Sequence, residues 1–64
     1  MFQEYDVVTN KKEFKQVPKG TMGTILIIYK DQKHFEVEFV DENGTTLDIL
    51  TVEEYDIEPW RNTP

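Results

Sequence analysis

The sequence predicts an all-β domain, with five short strands curled into one small barrel. Three observations carry that reading. Apolar residues recur with period two, most plainly at Phe35, Val37 and Phe39 with Glu36 and Glu38 between them. Such alternation gives a strand one dry and one wet face. The apolar runs are short and are separated by turn chemistry, above all Asn43-Gly44, the strongest short hairpin signal. Finally, 64 residues make one domain that buries only about 60% of its unfolded surface. Antiparallel strands that short must curl to enclose a core and blunt their edges.

Each element follows in order. Tyr5 to Val8 is apolar and β-branched, and predicts a first strand. Thr9 to Lys19 is polar and lysine-rich; Pro18 disfavours helix at Val17, so the segment predicts a loop, with Phe14 and Val17 as its anchors on the core. Gly20 and Gly23 precede the next apolar run, and one of them is expected at positive φ. Thr24 to Tyr29 predicts a long strand, too short for a typical helix and rich in β-branched residues. Lys30 to Lys33 is a polar loop. His34 to Val40 is the clearest strand. Asp41 to Gly44 is a turn, with Gly44 expected at positive φ. Thr45 to Thr51 predicts the fourth strand. Val52 to Tyr55 predicts one helical turn, capped by Thr51 with Glu54 three residues on. Asp56 to Glu58 predicts a last strand, stopped by Pro59. The economical arrangement is a five-stranded SH3-like barrel over residues 1–59 and a tail over 60–64; an open three-stranded sheet is the alternative. Val7, Ile25, Ile27, Phe35, Val37, Phe39, Leu47, Ile49 and Ile57 are expected to be buried.

Composition narrows the function. The chain has no cysteine, which excludes disulfides and thiolate metal sites. A secretory leader is not expected, because no basic start precedes an apolar stretch. The longest apolar run, Ile25 to Tyr29, is far short of a membrane span, and the cytoplasm is the expected location. The net charge is −6, which repels phosphate backbones and favours a basic partner or simple solubility. The charge is polarised. Residues 1–33 carry six lysines and four acids, a sum of +2; residues 34–64 carry Arg61 and nine acids, a sum of −8.

Catalytic chemistry is not expected. Serine and cysteine are both absent and His34 is the single histidine, so the common nucleophile arrangements cannot form. Glu36 and Glu38 are explained as the solvated side of their strand rather than as a catalytic carboxylate pair. Asp41-Glu42-Asn43-Gly44-Thr45 faintly resembles a calcium loop. Counting from Asp41, however, the required glycine is Thr46 and the required glutamate is Val52, so no metal is expected. Lys19 to Gly23 lacks the lysine and the helix of a phosphate loop. No cofactor is expected.

A family resemblance can then be drawn. Tyr5-Asp6-Val7-Val8, Lys19-Gly20 with Gly23-Thr24-Ile25, Tyr29, Phe35-Glu36-Val37-Glu38-Phe39-Val40-Asp41, Gly44 and Leu50-Thr51-Val52 stand in the order of a bacterial family catalogued as domain of unknown function 4926. The resemblance runs from about Tyr5 to Ile57, and Glu36 to Asp41 is its most specific part. It implies a compact SH3-like barrel, a bacterial source and no known activity. Its members are often short proteins encoded beside small partner genes, which implies toxin–antitoxin or immunity pairing. Trp60 to Pro64 extends past the family's usual end.

The leading expectation is a non-enzymatic protein-binding module, an antitoxin or immunity-like neutraliser of a basic partner. Small barrels offer rigid platforms for such contacts. The alternatives are a nucleic-acid-binding barrel, using the Lys11–Lys19 loop with Tyr29 or Trp60 for stacking, and a structural subunit of a larger complex. The acidic balance disfavours nucleic acid. Thr24 to Tyr29 is apolar on both parities, which a strand with one wet face should not be. One strand serving two layers would bury both faces. The functional explanation is an exposed apolar patch of Leu26 and Ile28 with Val40 and Trp60, rimmed by Glu36 and Glu38.

Overall fold

The structure, a computed structural model, describes residues 1–61. Five strands form one antiparallel sheet: β1 (Val7–Asn10), β2 (Met22–Ile28), β3 (His34–Val40), β4 (Thr46–Glu53) and β5 (Ile57–Pro59). A 3₁₀ turn, Glu54–Asp56, precedes β5. The strand order is β4-β3-β2-β1-β5. Consecutive strands β1 to β4 are neighbours, and β5 returns to the free side of β1. This all-β order is compatible with the small barrel that the sequence predicts. It leaves β4 and β5 as the two edges.

The core is built from Val8, Val17, Ile25, Phe35, Val37, Phe39, Val52 and Ile57, all at most 2% exposed. Phenylalanines close it at two places. Phe2 meets Phe35 edge-to-face at 5.6 Å, and Phe14 lies 6.2 Å from Phe39, arrangements that aromatic pairs favour. Phe14 and Val17 pair through mutual backbone bonds of 2.9 and 3.0 Å, so they anchor the Lys11–Lys19 loop as expected. Gly23 sits under these rings. A Cβ there would stand 2.7 Å from Val37 Cγ1 and 2.8 Å from Phe39 Cδ1. Its role is close approach, while Gly20 (φ 86°) and Gly44 (φ 83°) supply the positive φ of their turns.

The strand boundaries shift by one or two residues, for packing reasons. β1 starts at Val7 because Tyr5 turns the chain at φ 71°; it runs on to Asn10, which pairs with Ile57. β4 extends through Val52, which lies opposite Phe35 in the core. The helical turn therefore starts two residues later than expected. Its cap is Glu53, whose N–H donates to Asp56 Oδ2 at 2.9 Å.

The facing assignment is corrected at three positions, and the extent of burial at a fourth. Val7, Ile27 and Ile49, expected in the core, are 40%, 47% and 48% exposed, and Leu47 is only half-buried. In β1 the inward residue is Val8, opposite Gly23. In β2 the register shifts between Ile25 and Ile27: Ile25 pairs with Val37, but Ile27 pairs with Glu36 and Ile28 with Phe35. Leu26 is the extra residue of a bulge, and the bulge reverses the parity of everything after it. In β4 Ile49 lies opposite outward-facing Glu38, and a second register shift at Leu47 returns that side chain towards the core.

Candidate protein-binding face

The outward faces of β1 to β4 meet in two rows. Val7, Thr24, Glu38 and Ile49 are in register across four strands; Ile27, Glu36 and Thr51 form the adjacent row. Two carboxylates thus stand on β3 with exposed isoleucines on the strands either side. Directly opposed side chains on such a face are about 4.5–5.5 Å apart at Cβ, so these residues share one surface.

Hydroxyl groups hold both carboxylates. Thr51 Oγ1 donates to Glu36 Oε1 at 2.7 Å, and the Tyr29 hydroxyl donates to the same oxygen at 3.2 Å. Thr46 Oγ1 donates to Glu38 Oε2 at 2.5 Å. No lysine or arginine pairs with either glutamate among the described residues. The two negative charges are therefore fixed in position and left uncompensated. Exposed apolar surface around fixed charge is the composition of a contact site, with the charge selecting the partner's sign.

The residues expected to form one patch divide between four places. Glu36 and Glu38 occupy the outward face as expected, but their apolar neighbours are Ile27 and Ile49. Leu26 is half-buried in the bulge. Ile28 packs on the core and lines a separate pocket of about 430 Å³ with Phe2, Phe35 and Glu54. Val40 and Trp60 do come together, in a second cleft of about 540 Å³ at the end of the outward face. That cleft lies between Pro18–Thr21 and the Asp41–Gly44 turn; Met22 and Leu47 line it with them. Trp60 is not free chain: its N–H donates to the Val7 carbonyl at 3.0 Å and extends the β1–β5 ladder by one bond. The remainder of the expected tail, residues 62–64, lies outside the described residues.

Sequence reasoning missed Ile27 and Ile49 because both were assigned inward. The available signal was the apolar run of β2 itself, whose two parities announce a bulge as readily as a patch.

The other charged groups are engaged differently. Lys12 Nζ lies 3.3 Å from Asp56 Oδ1 and 5.4 Å from the Phe14 ring centre, which draws one lysine of the Lys11–Lys19 loop into the fold. Asp31 Oδ1 accepts the N–H groups of Lys33 and His34, and Oδ2 meets His34 Nδ1 at 2.5 Å. The Lys33 N–H and then the His34 ring hold the Asp31 carboxyl below the usual carboxylate range. Among the described residues no group of three or more His, Asp or Glu side chains is placed to hold a metal ion. No helix among them is long and apolar enough to cross a membrane.

Comparison with known proteins gives a family match: the model of a domain of unknown function, DUF4926, matches residues 4–59. No curated protein and no solved structure matches the chain.

Proposed function

The chain belongs to the DUF4926 family, and from that premise we propose that it is a non-enzymatic protein-binding module for a basic partner. The observation that carries this reading is the Glu36–Glu38 pair, oriented by three hydroxyls, unpaired with lysine or arginine among the described residues, and flanked by exposed Ile27 and Ile49. A partner with lysines or arginines around an apolar centre fits that face by sign and by character. Steering by the acidic half of the chain speeds the encounter, and the exposed isoleucines, covered on binding, hold the complex. A role in neutralising a basic enzyme, such as a nuclease, follows if the face covers that enzyme's own substrate surface. The location favoured for such pairing is the cytoplasm.

The test uses immobilised protein and an extract of the cells that make it. The parent is expected to retain a basic protein at low salt and release it as salt rises, because surface charge is screened over about 10 Å at 0.1 M. Glu36→Gln/Glu38→Gln keeps the hydroxyl acceptors and removes the charge; it is expected to lose that protein without a change in melting temperature. Retention of the parent on heparin or single-stranded DNA at moderate salt supports the nucleic-acid alternative instead.

A further inference from the structure

The cleft at the end of the outward face has a chemistry of its own. Its walls are Met22, Val40, Leu47 and Trp60. Asp41 and Glu42, on its turn side, are the only charged residues that line it among the described residues. Its volume of about 540 Å³ falls in the range of ligand-binding pockets, about 300–1,000 Å³. Trp60 is held at the cleft by its backbone bond to Val7, and the residue is 41% exposed. The acid side is also fixed: Asp41 Oδ1 accepts the N–H groups of Asn43 and Thr45 at 2.8 and 2.9 Å, and the Asp41 N–H donates to the Thr45 carbonyl. Those bonds leave Oδ2 available. Glu42 is exposed, and no lysine or arginine pairs with it among the described residues.

An indole face, a thioether and two carboxylates within one concave site match one kind of side chain. It must carry a long apolar stem, a flat cationic end and donors in a fork. A guanidinium stacks on indole and bonds a carboxylate through two donors at once; an ammonium does neither as well. We propose that this cleft is a binding pocket for arginine, displayed on an extended segment of a partner protein. The proposal deepens the basic-partner reading, on which it rests for the partner's nature, and adds a site that the Glu36–Glu38 pair does not include.

The chain supplies its own reporter, since Trp60 is the single tryptophan. The probe is an acetylated, amidated peptide alternating arginine with glycine. Matched peptides carry lysine, or the neutral arginine isostere citrulline, at the same positions. The arginine peptide is expected to change Trp60 emission saturably. The citrulline peptide should bind at least about tenfold more weakly, and the lysine peptide should also be weaker. Glu42→Gln, at an exposed position whose side chain makes no bond among the described residues, should weaken the arginine peptide about tenfold while leaving the melting temperature unchanged. Glu36→Gln/Glu38→Gln should leave the peptide's effect on Trp60 in place, although it abolishes capture of the protein partner. Equal binding of the citrulline or lysine peptide overturns the arginine assignment. So does an arginine peptide without effect on Trp60 at millimolar concentration. That last result, with capture by the sheet face intact, removes the cleft proposal and leaves the basic-partner reading standing.

Discussion

Asn10 shows how one side chain can organise a loop. It is 1% exposed. Its Nδ2 donates to the Lys12 and Pro18 carbonyls at 2.8 and 2.9 Å and reaches the Val17 carbonyl at 3.4 Å; its Oδ1 accepts the Thr21 N–H at 2.7 Å. One amide thereby satisfies backbone groups at both ends of the Lys11–Lys19 loop. Asn10→Ala leaves several of them buried without partners, at about 1–3 kcal/mol for a group left unmade. Denaturant unfolding is expected to show a loss of at least that size, and a loss below about 0.5 kcal/mol contradicts the role. This residue was illegible in the sequence, because a lone asparagine among polar neighbours has the composition of a surface turn. Gly44 was legible for the opposite reason, and Gly20 as one of two candidates with Gly23: their turns need positive φ, and glycine adopts it without steric cost.

At the scale of the strand, legibility depends on regular alternation. His34 to Val40 has the predicted bounds and facing because no residue interrupts its period of two. The β2 strand defeated the same rule because period two does not locate a bulge. The bulge at Leu26 makes a matched pair of substitutions informative. Ile28→Thr, on the core side, is expected to cost about 2 kcal/mol, whereas Ile27→Thr should stay within about 0.5 kcal/mol. Equal costs in thermal unfolding would place both residues on one footing and refute the parity reversal.

The β4 edge shows a related device. The His34 carbonyl accepts from Tyr29, towards β2, so by alternation Ile49 and Glu53 direct their N–H groups away from β3. Each of those groups is capped by a carboxylate, Asp48 Oδ1 at 2.8 Å and Asp56 Oδ2 at 2.9 Å. An eight-residue edge without lysine or proline is otherwise open to strand pairing; acidic caps occupy two of its outward N–H groups, on either side of Thr51, and so interrupt the row a second strand would pair with. Asp48→Ala uncovers the Ile49 N–H. Sedimentation velocity at rising concentration is expected to show more self-association than for the parent; identical profiles would deny the guard role.

For the molecule as a whole, sequence and structure agree on architecture and differ on the site. Charge placement was legible because it needs only counting: the −8 half supplies β3, β4 and the turn between them, where Glu36, Glu38, Asp41 and Glu42 lie. The apolar half of the site was not legible, since it depends on the Leu26 bulge and on the pairing of Ile49 with Glu38. The molecule is a thin core under a sheet whose outward surface carries fixed negative charge, unpaired among the described residues, between isoleucines. Backbone amide chemical shifts, followed while the captured basic partner is titrated into labelled protein, test that account most directly. Binding through this face predicts the largest changes at Thr24, Ile27, Glu36, Glu38, Ile49 and Thr51. Changes concentrated instead on Lys11 to Lys19, with those six amides unmoved, would contradict it.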